Sequence, residues 1–201
     1  SPVCIFLYGS VSRGDSVPES DYEIGVLYHQ KLKISRSILA TYHQLKNLKI
    51  YPFSLEDLQN NSLDTPFPRS FYLLQLIDTA KVLFGKNIFK NIKKPFVTSG
   101  DLIESVAFSL GRAYAAIVSS RQNDTVAVID SFTKSFLYGL QALAFIKTGK
   151  IIYSYNQLKK TSGKLNIPSE YLPLVSHVFS VRSGKVLPDS TLLFKNISFL
   201  N

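Results

Sequence analysis

Two carboxylates spaced for one face of a strand, with a Gly-Ser turn ahead of them, are the residues in this chain best suited to chemistry. They lie in YGSVSRGDSVPESDYEIGVLY (residues 8–28), where Gly9 and Ser10 follow a short apolar run and Asp21 and Glu23 open a second. Ten residues separate Ser10 from Asp21. Side chains alternate along a strand, so Asp21 and Glu23 share a face. Paired carboxylates make a hard oxygen site of the kind Mg²⁺ takes. A glycine-containing turn offers backbone N–H groups and a hydroxyl to a phosphate. The chemistry these parts point to is metal-assisted transfer of a nucleotide.

The elements that must position them are short. VCIFLY (3–8) reads as a buried strand and YEIGVLY (22–28) as an alternating one. Ser35 to Lys46 reads as a helix with Ser35 near its N-cap. LKIYPF (48–53) reads as a third strand, with Pro52 marking an edge or an end. Ser54 is placed as the N-cap of the next helix, with Asp57 at N3. Pro66 and Pro68 open another helix, expected to end before Gly85. The basic, then turn-rich stretch 86–100 (KNIFKNIKKPFVTSG) holds the domain boundary. The domains expected are 1–92 and 93–201.

The second half reads as a bundle of about five helices. Residues 101–121 carry Ile103, Val106, Leu110, Tyr114 and Ile117 on one helical face. Residues 125–147 form a long apolar helix ending at Gly149, and shorter helices follow, broken around Gly163, Pro168, Gly184 and Pro188. The fold class expected is therefore α/β (α+β) with a short mixed sheet, followed by an all-α helical bundle for substrate binding or dimerisation.

Composition sets outer limits. The chain has 201 residues, 45% of them apolar and 18% charged, enough for a buried core. No run of about 18 apolar residues is present, so no transmembrane helix and no membrane partner are expected. No signal peptide is visible. The single cysteine, Cys4, reads as a small buried hydrophobe, and a cytoplasmic location follows. The chain opens almost directly on a strand, so a helix upstream of Ser1 is expected. Net charge is +9, which suits a polyphosphate as well as a nucleic acid, and no nucleic-acid-binding motif is present. Most lysines read as solvated surface, with Lys90, Lys93, Lys94, Lys159 and Lys160 the only clusters.

The pattern Gly9-Ser10, Arg13, Ser20-Asp21-Tyr22-Glu23, flanked by two apolar runs, resembles the nucleotidyltransferase superfamily of the DNA polymerase β type. Within it the chain is similar to the kanamycin (aminoglycoside 4′-) nucleotidyltransferase family, which also has a tyrosine before the Gly-Ser, here Tyr8. ESVAFSLGR (104–112), SYNQLKKTSGKLNIPSEYLPLV (154–175) and SGKVLPD (183–189) extend the likeness into the helical half. The resemblance implies that Asp21 and Glu23 hold Mg²⁺ bridged to the phosphates of ATP or another NTP. It implies that Gly9, Ser10 and Ser20 cradle the nucleotide and that Arg13 neutralises it. An acceptor hydroxyl would attack the α-phosphorus and pyrophosphate would leave. It also implies a homodimer.

Two positions depart from that family. Its third carboxylate belongs on the strand after the crossover helix, where Lys49-Ile50-Tyr51-Pro52-Phe53 has no acid. Its general base belongs three residues before the helix glycine Gly111, which is Phe108, a side chain that cannot accept a proton. Glu104 lies one turn earlier and is a substitute base; alternatively Asp101 and Glu104 form a capping pair. Arg112, in place of the family's lysine, faces a phosphate or only solvent. His29, His43 and His177 lack metal-ligand spacing and read as surface or partly buried. Gly14 shapes the turn, and Asp15 and Glu19 solvate it. Tyr42, Phe71, Tyr72, Tyr114 and Tyr138 read as core.

The activity implied is transfer of a nucleoside monophosphate to a small-molecule hydroxyl. The few acids between 102 and 165 (Glu104, Asp124, Asp130) argue for an acceptor less cationic than an aminoglycoside. Two other classes stay open. One is a protein-AMPylating enzyme of the antitoxin kind, disfavoured by the large helical half. The other is a degenerate nucleotide-binding or interaction protein, motivated by the absent third acid and base.

Overall fold

The computed structural model describes residues 1–18, 20–30 and 47–201. The helix expected over Ser35 to Lys46 lies outside them, as do Glu19, Tyr42 and His43. The chain divides into two compact units, Ser1–Thr98 and Ser99–Asn201.

The first unit is built on a mixed four-stranded sheet in the order β3-β2-β1-β4. Strand β1 is Cys4–Tyr8, β2 is Tyr22–Tyr28, β3 is Leu48–Ser54 and β4 is Lys81–Gly85. β1 pairs antiparallel with β2 and β4, and β2 pairs parallel with β3. Helix α1 (Gly9–Arg13) leaves the end of β1, α2 (Leu55–Gln59) follows β3, and α3 (Arg69–Thr79) precedes β4. Ser54 caps α2 as its sequence suggests, its hydroxyl accepting the Asp57 N–H at 3.2 Å. Phe89 and Ile92 are buried in this unit's core.

The helix after Pro68 ends before Gly85, at Thr79; Ala80 then turns to an extended conformation, and KVLFG becomes β4, a strand the sequence pattern did not place. Five residues are too few to show a period of their own, and the pairing partner, β1, is remote in sequence. β4 is an edge strand, and its Leu83 and Phe84 are exposed.

One face of the sheet is graded along the strands. Opposed residues share a face, giving three rows across β1, β2 and β3: Cys4, Leu27, Phe53; then Phe6, Gly25, Tyr51; then Tyr8, Glu23, Lys49. The first rows are core. The Phe6 ring contacts Phe53 and Phe89 at centroid distances of 5.2 and 4.8 Å. It lies over Gly25, where an added Cβ would stand 2.1 Å from the ring. Burying each such ring is worth about 1.5–3 kcal/mol. The third row turns polar, at the end where β1 runs into α1. Cys4 is buried, as expected, and burial raises its thiol pKa.

The second unit holds five α-helices: α4 (Ser99–Arg121), α5 (Thr125–Thr148), α6 (Tyr155–Ser162), α7 (Leu172–Arg182) and α8 (Ser190–Leu200). α5 is its centre, started by an Asp124 cap on the Ala127 N–H and ended by Gly149 in the left-handed region. α4 differs from expectation in two ways. Its buried stripe is Ser105, Ser109, Ala113 and Ala116, whereas Ile103 and Tyr114 are exposed. Small residues let α4 approach α5 closely, and that choice overrides the apolar pattern. Asp101 lies inside the first turn rather than at the cap. Of the aromatics expected in the core, Phe71, Tyr72 and Tyr138 are buried, and Tyr114 is not. By length and composition alone α4 is apolar enough to cross a membrane, although Asp101, Glu104 and Arg112 interrupt it and no unbroken apolar run of that length is present.

A buried polar chain locks α4, α5 and α8. Asn196 donates to Ser135 Oγ at 2.9 Å, and Ser135 donates to the Ser109 carbonyl at 2.7 Å. Asn196→Ala removes one buried bond and opens a small void, so it is expected to cost about 1–3 kcal/mol. Urea unfolding should show the midpoint fall with an unchanged slope.

Candidate active site

The site is assembled where β1 ends. Tyr8 closes the strand, and Gly9 starts α1 with φ +75°, a conformation side chains rarely adopt. The turn is short: Gly14 takes the left-handed conformation, and its N–H and that of Asp15 return to the Ser10–Val11 carbonyls. Ser12 donates to the Thr79 carbonyl and ties α1 to the end of α3. Ser20 closes the next turn, its hydroxyl accepting the Val17 N–H at 2.9 Å.

Glu23 lies opposite Tyr8 in the β1–β2 ladder. Its carboxylate rests on Gly9: a Cβ built there would sit 1.9 Å from Glu23 Oε2. The structure thus brings Glu23 to the Gly-Ser turn. Asp21, two residues earlier, immediately precedes β2.

Sequence reasoning missed two members of this site. The first is Lys49. Its register partner is Glu23, and its ammonium forms an ion pair with Asp21. The hydrogen bond to Asp21, reinforced by the charges of Asp21 and Glu23, raises the Lys49 pKa, so the ammonium stays charged. The signal was the absence of an acid at that strand position, which does not by itself reveal what the lysine there touches.

The second is Asp15, expected to solvate the turn. Its side chain is 1% exposed and accepts from Arg13 Nε at 3.3 Å, with Arg13 itself 5% exposed. The guanidinium expected to meet phosphate is therefore packed into the turn beside a carboxylate. The two ion pairs differ in energetic weight. Lys49–Asp21 is half exposed and worth about 0.2–1 kcal/mol. Removing one partner of a buried pair costs about 3–5 kcal/mol.

Among the described residues no group of three His, Cys, Asp or Glu side chains is placed to hold a metal. Two carboxylates nevertheless fit one Mg²⁺, an ion that keeps several waters and takes its other ligands from substrate phosphates.

The remaining candidates belong to the helical unit. Glu104 is exposed on α4. Phe108 packs edge-on against Tyr138 at 5.2 Å. Arg112 lies 3.6 Å from Asp130 and its guanidinium sits 5.7 Å from the Phe108 ring centre. His29 and His177 are exposed.

Comparison with known proteins bears on the fold that carries these residues. Residues 1–93 match the family described as Polymerase beta, Nucleotidyltransferase. No curated protein sequence matches the chain. Among solved structures, spectinomycin adenyltransferase AAD(9) from Enterococcus faecialis, crystallised with ATP and spectinomycin, is similar over 100% of this chain and 90% of its own. The TM-score is 0.63 at 14% identity, so the likeness is one of fold. The sheet that carries Gly9, Asp21 and Glu23 thus lies within the residues that match the polymerase β type of nucleotidyltransferase, and the fold continues into a helical unit as in the adenyltransferase structure.

Proposed function

We propose that the chain is a Mg²⁺-dependent nucleotidyltransferase that moves a nucleoside monophosphate from ATP or another NTP to a hydroxyl of a small molecule. The observation that carries this reading is the Glu23 carboxylate resting on the Gly9 turn, which joins the acidic pair to a phosphate-binding turn. Asp21 and Glu23 would hold the ion. Bound there, Mg²⁺ supplies neutralisation of phosphate charge. Gly9, Ser10 and Ser20 shape the turn that receives the phosphates. Arg13, held by Asp15, stiffens that turn rather than reaching out of it. The acceptor oxygen attacks the α-phosphorus, pyrophosphate leaves, and the hydroxyl proton passes to a base. Glu104, exposed on α4, is the proposed base, and Arg112 a phosphate partner.

The solved structure with ATP and spectinomycin supports ATP as donor and an aminoglycoside-like acceptor. The net charge of +9 favours an acceptor of lower positive charge. The helical unit is proposed to bind the acceptor or a second copy of the chain in a homodimer, and the protein to work in the cytoplasm.

A second reading, a nucleotide-binding protein without transfer activity, is favoured by the ammonium on Asp21. Calorimetric titration of Mg–ATP into wild type and Asp21→Asn tests the first. Wild type is expected to bind, and the variant to lose at least about tenfold in affinity. Equal affinities would leave Asp21 without a role in holding the nucleotide; binding by wild type with no pyrophosphate released in the presence of acceptor would favour the second reading.

A further inference from the structure

The third row of the sheet, Tyr8, Glu23 and Lys49, sets Lys49 beside Glu23 by register, and its ammonium forms an ion pair with Asp21. Two carboxylates and one ammonium leave a net charge of −1. One Asp21 oxygen is already taken by Lys49. A divalent ion arriving alone must displace the ammonium or share Asp21 with it. A divalent ion arriving on a triphosphate brings further oxygen ligands and an anion to which the ammonium can turn. The pair is able to open, since the Lys49 side chain is 51% and that of Asp21 31% exposed.

We propose that Lys49 is a built-in cation that occupies Asp21 until nucleotide arrives, so that the site takes its divalent ion together with the nucleotide and not before it. This rests on the nucleotidyltransferase reading above. Lys49 acts here as a positioning residue: it excludes the free ion from Asp21 and then becomes a partner for phosphate. Two effects of opposite sign follow. Removing the ammonium strengthens binding of the ion alone and weakens binding of the nucleotide alone. A lysine that only braced β3 would produce neither.

The test is titration of Mn²⁺, read by electron paramagnetic resonance without nucleotide, into wild type, Lys49→Gln and Lys49→Arg. Titration of ATP in EDTA into the same proteins accompanies it. Lys49 is half exposed, so Lys49→Gln removes little packing, and circular dichroism checks the fold. Lys49→Gln is expected to bind Mn²⁺ about tenfold more tightly than wild type and metal-free ATP several-fold more weakly, on the order expected for removing one charge at close range. Lys49→Arg should behave as wild type. Equal Mn²⁺ affinity in wild type and Lys49→Gln overturns the proposal. Failure of every protein to bind Mn²⁺ also overturns it. In that case binding of Mg–ATP by wild type would leave the nucleotidyltransferase reading standing, and its absence would remove both.

Discussion

Gly9→Ala is expected to weaken Mg–ATP binding by about 10- to 100-fold, the scale for disturbing a group that orients a metal ligand. Its cost to folding should be only about 1–2 kcal/mol. The two effects separate because they have different causes. The folding cost comes from φ +75°, where a side chain is strained. The binding cost comes from the carboxylate against which the new methyl would press, 1.9 Å from Glu23 Oε2. A glutamate carboxylate is the far end of a flexible chain and can swing away cheaply. Swinging away removes it from the turn. Thermal unfolding and Mg–ATP calorimetry on the same preparation measure both quantities. A variant that keeps full affinity would show that Glu23 need not sit at the turn for nucleotide to bind.

Asp15→Ala is expected to have the largest effect on stability. It takes a carboxylate from beside a guanidinium that is 5% exposed. A buried charge deprived of its partner costs about 3–5 kcal/mol. For a unit of about 100 residues, 3 kcal/mol corresponds to a fall in Tm of roughly 12–24 °C. Asp15→Asn keeps an oxygen acceptor while losing the charge, so it should fall between wild type and Asp15→Ala. The readout is the unfolding transition of the N-terminal unit by calorimetry. A shift below 3 °C in Asp15→Ala, about the effect of a surface change, would mean that the pair adds no more than an exposed one.

The contrast between Asp15 and Lys49 explains where reading the chain stopped. Both are charged residues in or near a turn, and charged residues are mostly solvated. Whether one is buried depends on what packs over it. α1 is only five residues long, and its neighbours β2 and α3 come from elsewhere in the chain. Nothing local marks Asp15 as 1% exposed. Lys49 lies 26 positions beyond Glu23, and only parallel pairing of β2 with β3 sets them side by side.

What the sequence determined by itself was everything that depends on local spacing. Alternation along a strand predicted a shared face for Asp21 and Glu23, and β2 begins one residue after Asp21. The Gly-Ser pair after an apolar run marked the turn, Ser54 marked a helix start, and the basic, turn-rich stretch 86–100 marked a boundary, drawn at 92/93, between the sheet and the helices. Tertiary structure decided the rest. It brought Glu23 onto Gly9, set Lys49 against Asp21, buried Arg13 with Asp15, turned KVLFG into an edge strand, and chose the small-residue stripe of α4 over its apolar one. Arg13 and Asp15 are two residues apart, but what buries them is not local; the other contacts join segments distant in sequence, and all follow from strand register and close packing, which local residue patterns do not encode.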